Sequence, residues 1–329
     1  MIKENAKLNS KIFDEDIEQK PTRDGFGEGL VIAGEFDSNI VALCGDITDS
    51  TRVSLFRDKF PDRFIEMGVA EQNMAGIAVG LALSGKIPFI SSYATFSPGR
   101  NWEQIRTYIA YSNSNVNIAG AHAGISTGPD GATHQATEDI AIMRVLPNIK
   151  ILVPCDAIET KKATVAAAKI WGPDYIRFTR EKSPVFTTEE TPFIPGRAEI
   201  FWESPKPKCA IIACGPLVYN ALLAAKDLEK EDIHTIVVNN HTLKPIDEKL
   251  ITEVAKKCRA VVTVEEHQVA GGLGGAVAEA LAKHCPTPME FIGMQDTFGE
   301  SGNMKELIKK YGMDIEDIKR SVRRVIKRK

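Results

Sequence analysis

The side chains best suited to chemistry fall in a few short stretches. Glu71 opens the run EQNMAGIAVGLAL. A carboxylate at a helix start suits the dipole, but Met74, Ala75, Ala78, Val79 and Ala82 make this helix apolar nearly all round. A buried helix with an acid at its mouth points to a buried acid with a functional task. Tyr93 and Phe96 stand in SYATFSPG, a loop of small residues where two aromatics are hard to explain as packing. The loop 122–134, HAGISTGPDGATH, holds His122, Asp130 and His134 among glycines and a proline. Glycine lets a backbone approach a ligand closely. Histidine can donate to phosphate or move protons near neutral pH. Zinc is disfavoured, because the two histidines are twelve residues apart and no cysteine lies near. Asp46, Ser50 and Arg180 complete the set.

These residues need a scaffold that brings them together. Apolar strand-like runs at 39–44, 64–67, 87–91, 116–121, 149–153 and 175–179 alternate with helix-like runs at 25–35, 71–84, 102–112, 137–145 and 157–170. Such alternation predicts a mostly parallel sheet covered on both faces. In open parallel sheets, ligands bind beyond the carboxyl ends of the strands. Asp46 with Ser50, Glu71, Tyr93 with Phe96, the 122–134 loop and Arg180 each follow a strand, so all are expected at one edge. The stretch 181–197, with three prolines, reads as a linker. A second alternating set runs from 208 to 292. The expected organisation is a polar extension over 1–20, an α/β domain over 21–185, a linker over 186–194 and a smaller α/β domain over 195–329.

Composition narrows the function classes. The 329 residues are 43% hydrophobic and 26% charged, enough for a sizeable core and against global disorder. With 41 Lys+Arg against 44 Asp+Glu, no overall basic field argues for nucleic acid. No apolar stretch approaches a bilayer span. The polar N-terminus lacks a hydrophobic signal, so a cytoplasmic location is expected. The six cysteines form no CxxC pair and read as buried, reduced thiols. The run VAGGLGGAVAEAL lacks the full spacing of a dinucleotide loop and reads as a helix packed closely on a sheet. The basic tail KRSVRRVIKRK reads as a terminal helix with the apolar stripe Ile315, Ile318, Val322 and Val325.

Two segments, GVAEQNMAGIAVGLALSGKIPFISSYATF and AHAGISTGPDGATHQATEDIAIMRVLPN, closely resemble the pyrimidine-binding domain of transketolase. Residues 195–329, with NNHTLKPID and VTVEEHQVAGGLG, resemble the transketolase C-terminal domain. The resemblance implies thiamine diphosphate as cofactor and two-carbon ketol transfer between sugar phosphates, as in the pentose phosphate pathway. It implies that Glu71 bonds N1′ of the aminopyrimidine and that Phe96 stacks on that ring, with Tyr93 close by and Asp46 near the cofactor. It implies that Asp130 and His134 meet sugar hydroxyls, with His134 assisting proton transfer. Arg23, Ser50, His122 and Arg180 would hold the sugar phosphate. The chain has no GDG motif: CGDIT carries Ile47 in place of the second glycine. The resemblance therefore implies the C-terminal subunit of a split transketolase. A separate GDG-bearing N-terminal subunit would hold the diphosphate and Mg²⁺, around a homodimer core within a heterotetramer. No metal ligand is assigned to this chain. The family's further ring-pocket aromatics are absent: SPGRNW follows Phe96, leaving Arg100 or Trp102 in their place. The alternatives are a deoxyxylulose-phosphate-synthase-like enzyme, a 2-oxo-acid dehydrogenase β-subunit and an inactive scaffold.

Overall fold

The computed structural model describes residues 1–329. The first unit is built on β2 (Ile40–Cys44), β3 (Phe64–Glu66), β4 (Ile87–Tyr93), β5 (Asn117–Ala121), β6 (Lys150–Leu152) and β7 (Asp174–Arg177). These run parallel in the order β6-β7-β5-β4-β2-β3. Every residue of β2, β5 and β7 is buried, as two-sided cover by helices requires. The helices are α1 (Thr22–Phe36), α2 (Ser54–Lys59), α3 (Glu71–Leu83), α4 (Trp102–Gln104), α5 (Asp139–Arg144) and α6 (Ala157–Lys169). A short antiparallel pair, β1 (Gln19–Pro21) with β8 (Lys182–Pro184), ties the two ends of this unit together.

The second unit holds β9 (Glu199–Glu203), β10 (Cys209–Ala213), β11 (Thr235–Asn239), β13 (Val261–Gln268) and β14 (Met289–Met294). Their order is β14-β13-β10-β11-β9, parallel except for β9. Its helices are α7 (Leu217–Lys230), α8 (Glu248–Cys258), α9 (Leu273–His284), α10 (Met304–Lys310) and α11 (Ile315–Ile326). The α/β architecture with a parallel sheet and a second α/β unit agrees with the sequence reading. The two units are more entangled than that reading foresaw. The short β12 (Thr242–Lys244) leaves the second unit and pairs antiparallel with β6, at the edge of the first sheet. One apolar cluster runs across both units, joining Ile118 and Ile151 to Ile212 and Val238.

Several local expectations change. Residues 102–112 do not form one α-helix. After α4 the chain widens into a π-helix over Ile105–Ala110, which turns Ile105, Ile109 and Ala110 inward together. Residues 1–18 are not a free extension. Ala6, Ile12 and Ile17 are buried in the core of the second unit, and Lys3 donates its backbone N–H to Phe201. The proline-rich stretch is not a loose tether either, because Phe186 is buried and packs near Phe201 and Tyr219. Helix α3 buries Met74, Ala75 and Ala78 but leaves Ile77 42% and Leu83 79% exposed, so its apolar surface is covered on only one side within this chain. The basic tail is the terminal helix α11, with Ile318, Val322 and Val325 buried. Its Arg324 and Arg328 pair with Glu290, and Arg323 pairs with Glu231.

Candidate active site

Glu71 is the first residue of α3 and is 1% exposed. Asn101 Nδ2 donates to its carbonyl at 3.1 Å, fixing the helix mouth, and Ser92 Oγ donates to Oε1 at 3.4 Å. Its Oε2 accepts from Arg100 Nη1 at 2.6 Å. The same guanidinium lies over the Phe96 ring, 4.7 Å from its centroid. Acid and ring face are thus within reach of one flat, nitrogen-bearing group. The sequence leaves Arg100 or Trp102 for the ring pocket; Arg100 lies over Phe96, whereas Trp102 turns away and donates Nε1–H to the Ile142 carbonyl at 2.8 Å.

Tyr93, the last residue of β4, is the hub of an aromatic cluster. Its ring lies parallel to that of Phe96 at 6.1 Å, against His122 at 4.2 Å and edge-on to His134 at 6.0 Å. His134 also stands edge-on to Phe96 at 5.5 Å. Thr133 Oγ1 and His134 Nδ1 are 2.9 Å apart, which turns the ring. The Tyr93 hydroxyl lies 3.1 Å from Ser50 Oγ.

Behind this cluster the cations gather. Arg23, in the first turn of α1, donates Nη1–H to the Ser50 carbonyl at 3.0 Å and lies 3.5 Å from His122 Nε2. His122 follows β5 with φ +52°, a left-handed turn that brings its Nε2 within 3.2 Å of the same carbonyl. Burial, reinforced by Arg23 and Arg180, pushes the His122 pKa down to about 3. The ring is therefore neutral and offers one N–H, not a charge. Arg180 donates to Asp130 Oδ1 at 2.7 Å. These arginines border an open cleft of about 460 Å³ that also meets Arg52, Lys182 and Lys305.

Ten residues singled out in the sequence follow this geometry with one exception. Glu71, Tyr93, Phe96, His122 and His134 form one connected cluster, and Arg23, Ser50, Arg180 and Asp130 adjoin it. Asp46 lies at the same sheet edge, with φ +62°, but its carboxylate bonds to none of them. The loop bearing Asp46 is shaped by Glu66, a residue sequence reasoning missed. Glu66 accepts from the Asp46 and Gly68 N–H groups and from Thr48 Oγ1, at 2.8, 3.1 and 2.8 Å. No three His, Cys, Asp or Glu side chains converge as metal ligands.

A parallel α/β unit with a buried acid, a ring face and a histidine–arginine edge is thus followed by a second α/β unit. Comparison with known proteins identifies this arrangement. Residues 18–185 match the family model "Transketolase, pyrimidine binding domain", and residues 196–318 match "Transketolase, C-terminal domain". The chain belongs to the transketolase family. It is 43% identical over 312 residues to the putative transketolase C-terminal section of Methanocaldococcus jannaschii, covering 94% of this chain and 97% of that protein. It is 37% identical to the 6-deoxy-6-sulfo-D-fructose transketolase subunit SqwH of a Clostridium species, covering 96% and 98%. Among solved structures it superposes on a split gene transketolase, described as an inactive beta4 tetramer, with a TM-score of 0.87 and 45% identity over 93% of this chain and 98% of that one.

Proposed function

We propose that this chain is the C-terminal subunit of a split transketolase. With an N-terminal subunit that holds the diphosphate and Mg²⁺, it would move a two-carbon ketol unit from a ketose phosphate to an aldose phosphate. The observation that carries the reading is the single sheet edge where Glu71 and Phe96 meet Tyr93, His134 and the His122–Arg23 pair. Relatives of the same length that are named as transketolase sections or subunits support it.

The aminopyrimidine of thiamine diphosphate fits the residues present. Arg100 already shows that a planar nitrogenous group can face Phe96 and bond Glu71 together. When bound, the cofactor supplies the carbanion chemistry for breaking a carbon–carbon bond beside a carbonyl. Glu71 would hold the ring at N1′ through a proton on its carboxyl group. In the single chain the Oε2 of Glu71 accepts from Arg100; the bound ring would take the place that Arg100 holds over Phe96. Phe96 would carry the ring face and Tyr93 would back it, with Asp46 near the cofactor at the same edge.

His134, edge-on to both rings, stands where it could give or take a proton at a substrate hydroxyl. Asp130 would accept from a neighbouring hydroxyl. Arg23, Arg180, Ser50 and neutral His122 would anchor the terminal phosphate, the arginines through charge-assisted bonds. A 2-oxo-acid dehydrogenase subunit has no task for that cluster. The open apolar side of α3, with Val69, Tyr108 and Tyr111 also exposed, supports assembly with further chains at this edge.

Glu71→Ala tests the reading. In the complex with its N-terminal subunit, ketol transfer should fall on the order of 10²–10⁴-fold while assembly persists. A variant that assembles and keeps more than roughly a tenth of the rate would remove Glu71 from its role.

A further inference from the structure

The loop that carries Asp130 and His134 is held from outside its own sheet. Glu266, on β13 of the second unit, is 3% exposed and accepts from the backbone N–H of Ser126 at 2.5 Å. Gly124, with φ +85°, lets the loop pass so close that a Cβ there would collide with the Glu266 carboxylate. Arg177 is ion-paired with Asp139 at 2.8 Å, both buried. Its Nη2 donates to the Glu266 carbonyl at 2.8 Å, and more weakly to the Ala136 carbonyl at the far end of the loop.

Further along, Gln135 Nε2 donates to the Glu300 carbonyl at 2.9 Å and to the carbonyls of Ile125 and Gly128. Gln135 is the neighbour of His134 in the chain. Gly299 leaves room for the Gln135 side chain, and Ser301 lies against Gly131. The loop is thus clasped at its start by β13 and at its end by the segment before α10. Nothing in the proposed chemistry uses Glu266, Gln135 or Glu300.

We propose that the second unit is the positioning wall of the sugar-facing loop, and that Glu266, through the Ser126 N–H, is the positioning residue that sets where Asp130 and His134 stand. The kinetic part of this rests on the ketol-transfer reading; the structural part does not. A displacement of about 1 Å in a positioned group can cost on the order of 10²-fold in rate, so the wall would govern sugar turnover far more than the Glu71 end of the cluster, which it does not touch.

The test uses the full chain with Glu266→Ala and Glu266→Gln. Amide hydrogen exchange on the chain alone should quicken in peptides spanning 122–136 in the alanine variant, and not in peptides spanning 71–83. In the complex, kcat/KM for xylulose 5-phosphate should fall roughly 10-fold or more, with thiamine diphosphate affinity within about twofold. Glutamine keeps an acceptor oxygen, so Glu266→Gln should restore both loop protection and most of kcat/KM. If Glu266→Ala does not fold, Gln135→Ala cuts the second tie and takes the same readouts. Unchanged loop exchange in a folded variant would overturn the proposal. So would faster exchange spread equally over both units, or an equal loss of cofactor affinity. Absence of turnover in the unmodified complex would sink the ketol-transfer reading instead, and the exchange result would still decide the wall.

Discussion

Arg180 sits between two tasks, bonded to Asp130 at 2.7 Å while facing the cleft that also holds Arg23. If it anchors the sugar phosphate, Arg180→Ala should cost roughly 10–150-fold in kcat/KM on xylulose 5-phosphate, the worth of a charge-assisted bond. Hydroxypyruvate, which has no phosphate, should lose far less. Equal losses on both donors would show that Arg180 only orients Asp130. His122 gives a second prediction. Unfolded histidine binds its proton near pH 6.5, whereas folded His122 binds one only near pH 3. Its contribution is therefore complete above pH 6.5 and is lost as the pH falls towards 3. Between pH 7 and 5 the parent should lose about 2 kcal/mol more stability than His122→Asn. Buried acids raised to about 7, Glu159 and Glu265 among them, act in the opposite sense. The comparison must therefore be parent against variant, from urea midpoints at each pH; parallel curves would contradict a buried neutral His122. At this scale the sequence showed the residue types and their edge of the sheet. It did not show the Arg100–Glu71 pair, because that contact depends on the fold of the 96–101 turn. Nor did it show Glu66 or Glu266, which accept from the backbone N–H groups of Asp46 and Ser126, 20 and 140 positions away.

Among the elements, one buried carboxylate ties the proline-rich segment to the first unit. Asp156 caps α6 by accepting from the Glu159 N–H at 2.9 Å. It also accepts from the N–H groups of Phe186 and Thr187 and from Thr187 Oγ1, at 2.9, 2.6 and 2.7 Å. Asp156→Ala would leave these donors buried without partners, at about 1–3 kcal/mol each where no relaxation occurs. Chemical denaturation should show a loss of at least about 3 kcal/mol; a loss under about 0.5 kcal/mol would mean that this tie bears no stability. Strand and helix alternation was legible because the strands are short apolar runs separated by longer runs of helix-forming residues. The ties between distant segments were not legible. Strands β8, which closes the first unit on β1, and β12, which crosses to β6, are three residues long, and their pairing partners lie far away in sequence. The N-terminal segment read as polar because only a few scattered residues, Ala6, Ile12 and Ile17, anchor it.

For the whole molecule, the chain carries a ring face, an acid and an edge lined by Arg23 and Arg180, but no gathering of His, Cys, Asp or Glu that could hold a metal ion. Helix α3, which starts at the buried Glu71, leaves Ile77 and Leu83 exposed in the single chain; on the proposed reading a further chain would cover them close to the site. The chain lacks the GDG motif expected to hold a diphosphate with its metal, and charge-assisted contacts are the strong ones for such groups. The direct measurement is ketol transfer from xylulose 5-phosphate to ribose 5-phosphate by this chain, with and without a GDG-bearing N-terminal transketolase subunit from the same organism. The account predicts turnover only in the mixture, together with weak thiamine diphosphate binding by the chain alone. Robust turnover by the isolated chain, or none in an assembled mixture, would contradict it.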